Sequence, residues 1–178
     1  IQAVSKAVSE RDGVAGAVRR TALLAQMFVG APLAVVVFLG ADLIAARLFN
    51  DPALGIYFRV ASLITLFYSF YAVFVGLCNG TKRFFTQAAL DVTFSTMKMT
   101  AIVVLVLLGL GVLGAFSGFA GAALAVTLVA LLATRRIGGA AEPVPLRKVL
   151  LFMLPVMLYT LLQNGLLQAD SLLLKALK

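Results

Sequence analysis

The stretch that decides the fold is residues 99–134, MTAIVVLVLLGLGVLGAFSGFAGAALAVTLVALLAT, in which 36 residues follow one another without a charge. A bilayer core of about 30 Å needs about 20 helical residues to cross. The run is therefore long enough for two crossings, provided that a turn interrupts it. The glycines that cluster around Ser117 predict such a turn near residues 110–118.

Three further uncharged runs flank this stretch, at residues 21–41, 60–81 and 149–169. Asn50-Asp51-Pro52 predicts a turn between the first two, and Asn79-Gly80 predicts the end of a helix. Helices in soluble cores are shorter and present a polar face. The sequence thus predicts an all-α, polytopic membrane protein with five spans, at about residues 21–48, 53–77, 85–109, 119–134 and 149–174.

The composition agrees with a bilayer as solvent. Hydrophobic residues make up 62% of the chain and charged residues 12%, against roughly 25% charged in an ordinary soluble domain. The chain has no histidine, and its single cysteine, Cys78, cannot form an intramolecular disulfide. We therefore expect no metal site and no cofactor.

The basic residues predict the orientation. With the N-terminal end in the cytoplasm, the segments 1–20, 79–85 and 135–148 lie inside and the turns near 49–53 and 110–118 lie outside. The inside segments hold Lys6, Arg11, Arg19, Arg20, Lys82, Arg83, Arg135, Arg136, Arg147 and Lys148, and the outside turns hold no basic residue. This asymmetry follows the positive-inside rule. The net charge of +8 is accordingly interpreted as a topology signal and a source of anionic-lipid contacts, and not as nucleic-acid binding.

The third span carries a polar stripe. Its members fall within about 80° of one another on a helical wheel; they are Gln87, Asp91, Ser95 and Lys98. A charge inside a span costs roughly 2.5–3.5 kcal/mol, so it needs a reason. Two interpretations stay open: the stripe faces a water-filled cavity, or the charges snorkel towards the inner interface.

The second span carries one charge, Arg59, near its outer end. Arg59 is a candidate anion contact, and contact with outer headgroups is the equal alternative. Tyr57 is expected to anchor the helix at the interface. For the deeper Tyr68 and Tyr71, packing inside the bundle is favoured over contact with a sugar.

The fifth span combines a proline with many polar residues. Pro155 removes a backbone hydrogen bond, so a kink or hinge is expected there. The polar residues beyond it cover about half the wheel; they are Tyr159, Thr160, Gln163, Asn164, Gln168, Asp170 and Ser171. Interhelical hydrogen bonds would explain them at about 0.6 kcal/mol per pair. A cavity wall that handles a hydrophilic group is the favoured interpretation. No nucleophile–base pair accompanies these residues, so an enzyme is not expected.

Two segments resemble a known family. The first is Gly76-Leu-Cys-Asn-Gly80-Thr-Lys-Arg-Phe84 with Gln87-Ala88 and Asp91. The second is Leu154-Pro155 followed by Leu161-Leu162-Gln163-Asn164 and Gln168-Ala169-Asp170-Ser171-Leu172. Both resemble the polysaccharide flippases, which share a superfamily with the multidrug and toxin extrusion transporters and the lipid II flippases.

The resemblance covers nearly the whole chain and implies its organisation. It implies a piece of a protein with 12 to 14 helices, running from the end of helix two to helix seven. Residues 1–134 would belong to the first lobe, 135–148 would form the cytoplasmic linker, and 149–178 would hold the first helix of the second lobe. The lobes of such a protein enclose a cavity and alternate between inward-open and outward-open states.

The function that the resemblance implies is the flipping of lipid-linked oligosaccharide across a bacterial inner membrane, by a protein expected to be monomeric. The polyprenyl-pyrophosphate-linked substrate would place its head in the cavity and its tail among the membrane lipids, with H⁺ or Na⁺ as the candidate coupling ion. Asp91 and Asp170 match motif positions of the family, whereas Lys98 and Arg59 are inferred from their charge alone. A cation-coupled drug exporter of the same fold and a non-transporting structural subunit are the alternatives.

Overall fold

The computed structural model describes residues 1–9 and 14–137, and in addition the isolated positions Leu151, Pro155, Leu158, Tyr159, Leu162 and Gln163. Within these residues all regular structure is helical and no strand occurs. The α-helices are α1 (Gln2–Ser9), α2 (Ala15–Ala25), α3 (Ala31–Leu39), α4 (Ala41–Leu48), α5 (Gly55–Gly80), α6 (Phe84–Leu105) and α7 (Gly111–Thr134). The prediction of an all-α chain is confirmed.

Three continuous stretches are long and apolar enough to cross a membrane, namely Ala15–Leu39, Pro52–Gly80 and Phe84–Thr134. The first joins α2 to α3 through a π-helical segment, Gln26–Gly30. It begins six residues before the first predicted span, because the helix extends into the polar residues that precede the apolar run. A break at Gly40 then separates α3 from α4.

The turn between α6 and α7 is shorter than the sequence suggested. Gly109 and Gly111 have positive φ angles, of 88° and 51°, and they reverse the chain between the two helices. Gly114 and Gly118 were expected in the turn, but they lie inside α7. A Cβ atom on Gly118 would lie 2.8 Å from backbone atoms of Ala101 and Ile102. The glycine cluster therefore has two structural roles: Gly109 and Gly111 reverse the chain, and Gly118 allows close contact between α6 and α7.

Helix α7 lies between α5 and α6. It runs parallel to α5, where the Thr127 hydroxyl donates to the carbonyl of Phe67 over 3.0 Å. It runs antiparallel to α6, because Gly118 lies against Ala101 while the earlier Gly114 lies against the later Leu105. The core between these three helices consists of Tyr71, Phe74, Val75, Cys78, Leu90, Phe94, Ala122, Ala123, Val126 and Ala130.

Helices α1 and α2 cover the other side of α5. Cβ atoms on Gly76 and Gly80 would lie 2.9 Å and 2.6 Å from the Cβ atoms of Val4 and Val8, so these glycines allow α1 to lie directly on α5. The Arg19 guanidinium donates to the carbonyl of Thr134 over 2.9 Å and so caps the end of α7. This contact joins the beginning of α2 to the end of the last described helix.

The end of α5 corrects the role predicted for Gly80. Gly80 is the last residue of α5, and the residue with the left-handed conformation that follows a helix is Lys82, at φ 57°. The Arg83 amide donates to the carbonyl of Cys78 over 2.8 Å and the Lys82 amide to that of Asn79 over 3.1 Å. These two bonds form a Schellman motif, whose left-handed position usually holds glycine. Position 80 requires glycine because α1 lies against it. The residue in the strained left-handed conformation is Lys82.

Replacement of Lys82 by glycine is therefore expected to stabilise the protein. A residue with a Cβ atom in the left-handed conformation is strained by about 1–2 kcal/mol, and the extra freedom of glycine in the unfolded chain offsets part of that gain. We expect a rise of about 0.5–1 kcal/mol in the free energy of unfolding, seen as a higher midpoint of thermal unfolding in detergent. Lys82→Ala removes the same charge but keeps the strain, so it should show no rise. Equal midpoints for the two variants would contradict the account.

Candidate functional site

Lys98 lies deep in the third membrane-crossing stretch. It is the fifteenth residue of α6, about 20 Å along the helix axis from Phe84 at 1.5 Å per residue. Its ammonium group lies 5.3 Å from the ring centroid of Phe94 and 5.3 Å from that of Phe119. In the described part of the chain it has no carboxylate partner. A cation over an aromatic face gains about 0.5–2 kcal/mol, which offsets part of the cost of the charge.

The fold brings the two rings to Lys98 from different helices. Phe94 is one turn before Lys98 on α6, and Phe119 follows Gly118, which lies directly against the backbone of α6. The two ring centroids are 5.9 Å apart. Sequence reasoning found Lys98 from its charge, but it missed Phe119, because the reversal at Gly109 decides which residue of α7 reaches α6.

Asp91 belongs to the same site through Tyr71 of α5. The Tyr71 hydroxyl donates a hydrogen bond of 2.7 Å to a carboxylate oxygen of Asp91. Tyr71 is only 2% exposed, and its ring packs against Phe94 at 5.5 Å between centroids and against Tyr68 at 5.9 Å. We call the group formed by Tyr71, Asp91, Phe94, Lys98 and Phe119 the Lys98 site.

The other members of the polar stripe extend along the same helix. The side chains of Ser95 and Asp91 are exposed, whereas those of Gln87 and Lys98 are half-buried. The structure therefore brings Asp91, Ser95 and Lys98 to one side of α6. Burial of Tyr71 agrees with the packing role that the sequence favoured for it, while Tyr68 remains 44% exposed.

Arg59 lies away from the Lys98 site. It forms an ion pair with Asp42 of α4, near the end of the bundle opposite to the α5–α6 turn. Gly55 makes room for this pair, since a Cβ atom there would collide with the Asp42 carboxylate. Both side chains of the pair are exposed, at 44% and 63%. Sequence reasoning missed Asp42, which lies just beyond the end of an uncharged run.

A second polar contact within the described helices was also missed. The side-chain amide of Gln26 donates to the hydroxyl of Ser69 over 2.6 Å and so links the π-helical segment to α5. The signal in the sequence was a lone amide inside the uncharged run 21–41.

Some of the remaining candidate residues lie among the residues that the structure describes, and others lie outside them. Pro155, Tyr159 and Gln163 are helical and exposed. Lys82, Arg83, Arg135 and Arg136 are exposed next to the ends of α5 and α7. Outside the described residues lie Arg147, Lys148, Thr160, Asn164, Gln168, Asp170 and Ser171. Within the described residues no group of three or more histidine, cysteine or acidic side chains could hold a metal ion.

The helices and the Lys98 site define the class of the protein: it is a polytopic helical membrane protein that holds a half-buried lysine within a membrane-crossing stretch. A comparison with protein families then gives the particular family. The family described as polysaccharide biosynthesis protein matches residues 4–176, so the chain belongs to that family. Searches of the curated proteins and of the solved structures found no match to this chain.

Proposed function

We propose that the protein is a transporter that flips lipid-linked oligosaccharide across a bacterial inner membrane by alternating access. The observation that supports this proposal most strongly is Lys98 of a membrane-crossing helix, whose ammonium lies 5.3 Å from each of two ring centroids and has no carboxylate partner among the described residues. A charge in such a position is costly and by default marks a functional site. The anionic pyrophosphate of a polyprenyl-linked substrate would supply the missing counter-charge.

The surroundings of Lys98 suit a substrate with a sugar head. Asp91 and Ser95 on the same side of α6 offer hydrogen-bond partners to hydroxyl groups. Gln163, which is exposed, would contribute from the second lobe together with Asn164 and Gln168. The polyprenyl tail would remain among the lipids, next to the exposed apolar side of the helices. In this proposal the protein is a monomeric carrier and not an enzyme.

The exposed basic residues support the proposed orientation. Lys82 and Arg83 lie at the α5–α6 turn, and Arg135 and Arg136 follow α7. Since α5 and α7 run parallel, both pairs lie at the same end of the bundle. The positive-inside rule favours the cytoplasm for that end, where these residues would also attract an anionic substrate.

The experiment that tests the proposal is transport by the full-length protein in liposomes. Lipid-linked oligosaccharide is placed in one leaflet, and its arrival in the other is followed with a sugar-binding probe that does not cross the membrane. Transfer that depends on the protein is the expected result. No transfer with several glycans, by protein shown to be folded, would contradict the proposal.

A cation-coupled drug exporter of the same fold is the second candidate, and Asp91 is the observation that favours it. Such an exporter needs an acidic group within the first lobe, and Asp91 lies inside a membrane helix with Tyr71 as its partner. Asp91 is only about 10 Å from the start of α6 along the helix axis, which places it nearer the end than the middle. Drug efflux driven by an H⁺ or Na⁺ gradient, without oligosaccharide transfer, would select this candidate.

A further inference from the structure

Two opposite charges occupy one side of α6 without pairing. Asp91 and Lys98 are seven residues apart, which is about two helical turns and about 10 Å along the axis. In a membrane helix such charges gain most by neutralising one another, directly or through water. The structure instead gives each a different partner: Tyr71 for Asp91, and two phenylalanine rings for Lys98.

Tyr71 is built to hold the carboxylate in place. Its ring is almost completely buried and packs against two other rings, so its hydroxyl has a fixed position. The hydroxyl belongs to α5, and it therefore draws the Asp91 carboxylate towards that helix. The ammonium of Lys98 is drawn towards Phe119 on α7.

We infer that Tyr71 is a positioning residue that keeps Asp91 from neutralising Lys98. The consequence is that the ammonium of Lys98, which has no carboxylate partner among the described residues, stays open to an anionic group from outside the chain. The separation of the two charges follows from the contacts alone, while its use for a pyrophosphate head rests on the proposed function.

The variant that tests this inference is Tyr71→Phe, which removes one hydroxyl and keeps the ring. The freed Asp91 is then expected to pair with Lys98. Tyr68→Phe is the matched control, because Tyr68 is a neighbouring ring whose hydroxyl does not bond to Asp91 in the described structure. The double variant Tyr71→Phe with Asp91→Asn removes the carboxylate charge and should reverse the effect.

The readout is the rate at which Lys98 is acetylated in the full-length protein in liposomes. A membrane-permeant acetylating reagent is used, the product is measured by mass spectrometry, and the exposed Lys82 serves as the internal reference. Only the neutral amine reacts, and a carboxylate within about 4–6 Å favours the charged form by about tenfold or more. Tyr71→Phe should therefore slow the labelling of Lys98 about tenfold. Tyr68→Phe and the double variant should label like the wild type.

Two results would overturn the inference. One is equal labelling of Lys98 in Tyr71→Phe and wild type, which would mean that the freed carboxylate stays solvated or turns to Arg83. The other is a double variant that labels as slowly as Tyr71→Phe, which would mean that the Asp91 carboxylate is not the cause of the slower labelling.

Transport gives a second, independent readout. If the wild type transports, Tyr71→Phe should raise the KM for the lipid-linked substrate about tenfold, because a Lys98 paired with Asp91 would bind the anionic head less tightly. A wild type that transports nothing would remove the proposed function, but the labelling result would still decide the role of Tyr71.

Discussion

Replacement of Lys98 by methionine is expected to reduce the transfer of lipid-linked oligosaccharide by about tenfold to a hundredfold, and Lys98→Ala should do the same. The ammonium would donate charge-assisted hydrogen bonds to phosphate oxygens, and such bonds contribute about 1.5–3 kcal/mol each. Methionine keeps the length of the side chain and its contact with Phe94 and Phe119, so the loss would report the charge.

The stability of the folded protein, unlike transport, should not decrease in Lys98→Met. Removal of a charge from the inside of a membrane helix eliminates a cost of roughly 2.5–3.5 kcal/mol on insertion scales, while loss of the attraction between the ammonium and the two rings gives back about 0.5–2 kcal/mol. Lys98→Met should accordingly be produced in at least wild-type amounts and unfold at the same or a higher temperature. Undiminished transport by this variant would leave snorkelling as the explanation for Lys98.

The second large effect is expected at Gly118 of α7, which lies directly against the backbone of α6. A Cβ atom there would lie 2.8 Å from backbone atoms of Ala101 and Ile102 and 3.0 Å from the carbonyl oxygen of Ala101. Backbone atoms cannot move aside as a flexible side chain can, so Gly118→Ala must separate the two helices. Overpacking of this kind costs typically 1–3 kcal/mol, and we expect a loss near the upper end, measured by thermal unfolding in detergent.

Gly121 provides the matched control on the same helix. A Cβ atom there meets nothing within 4 Å, and alanine is favoured over glycine inside a helix by about 1 kcal/mol. Gly121→Ala should therefore leave the unfolding temperature unchanged or raise it. If both variants unfold at the wild-type temperature, the close contact between α6 and α7 is wrong. Gly118→Ala should also impair the Lys98 site, because it displaces the adjacent Phe119.

Most of the predictions made from the sequence rest on properties of single residues. The length of the apolar runs predicts membrane-spanning helices without any knowledge of their contacts, and the charge of Lys98 marks it because a bilayer penalises charge. The pairing of helices could not be predicted in the same way. The partners of Lys98 and Arg59, Phe119 and Asp42, depend on how α6 meets α7 and how α4 returns to α5.

The roles of the glycines also depend on contacts between helices that the sequence does not show. The sequence marks Gly80, Gly109 and Gly118 alike, although one lies under α1, one turns the chain and one admits a neighbouring helix. Tertiary contacts decide which of these roles each glycine has. For that reason Lys82, and not a glycine, has the left-handed conformation after α5.

The requirement for a positive charge at position 98 is tested most directly by restoring that charge chemically. A full-length protein whose other cysteines are replaced, Cys78 included, carries Lys98→Cys and is assayed for oligosaccharide transfer in liposomes before and after treatment. An aminoethyl thiosulfonate reagent adds an ammonium at nearly the length of lysine, a methyl reagent adds none, and a sulfonatoethyl reagent adds a negative charge. We expect that Lys98→Cys is impaired and that only the ammonium restores transfer, by about tenfold or more. Full transfer before treatment, or no recovery after complete modification with the ammonium reagent, would contradict it.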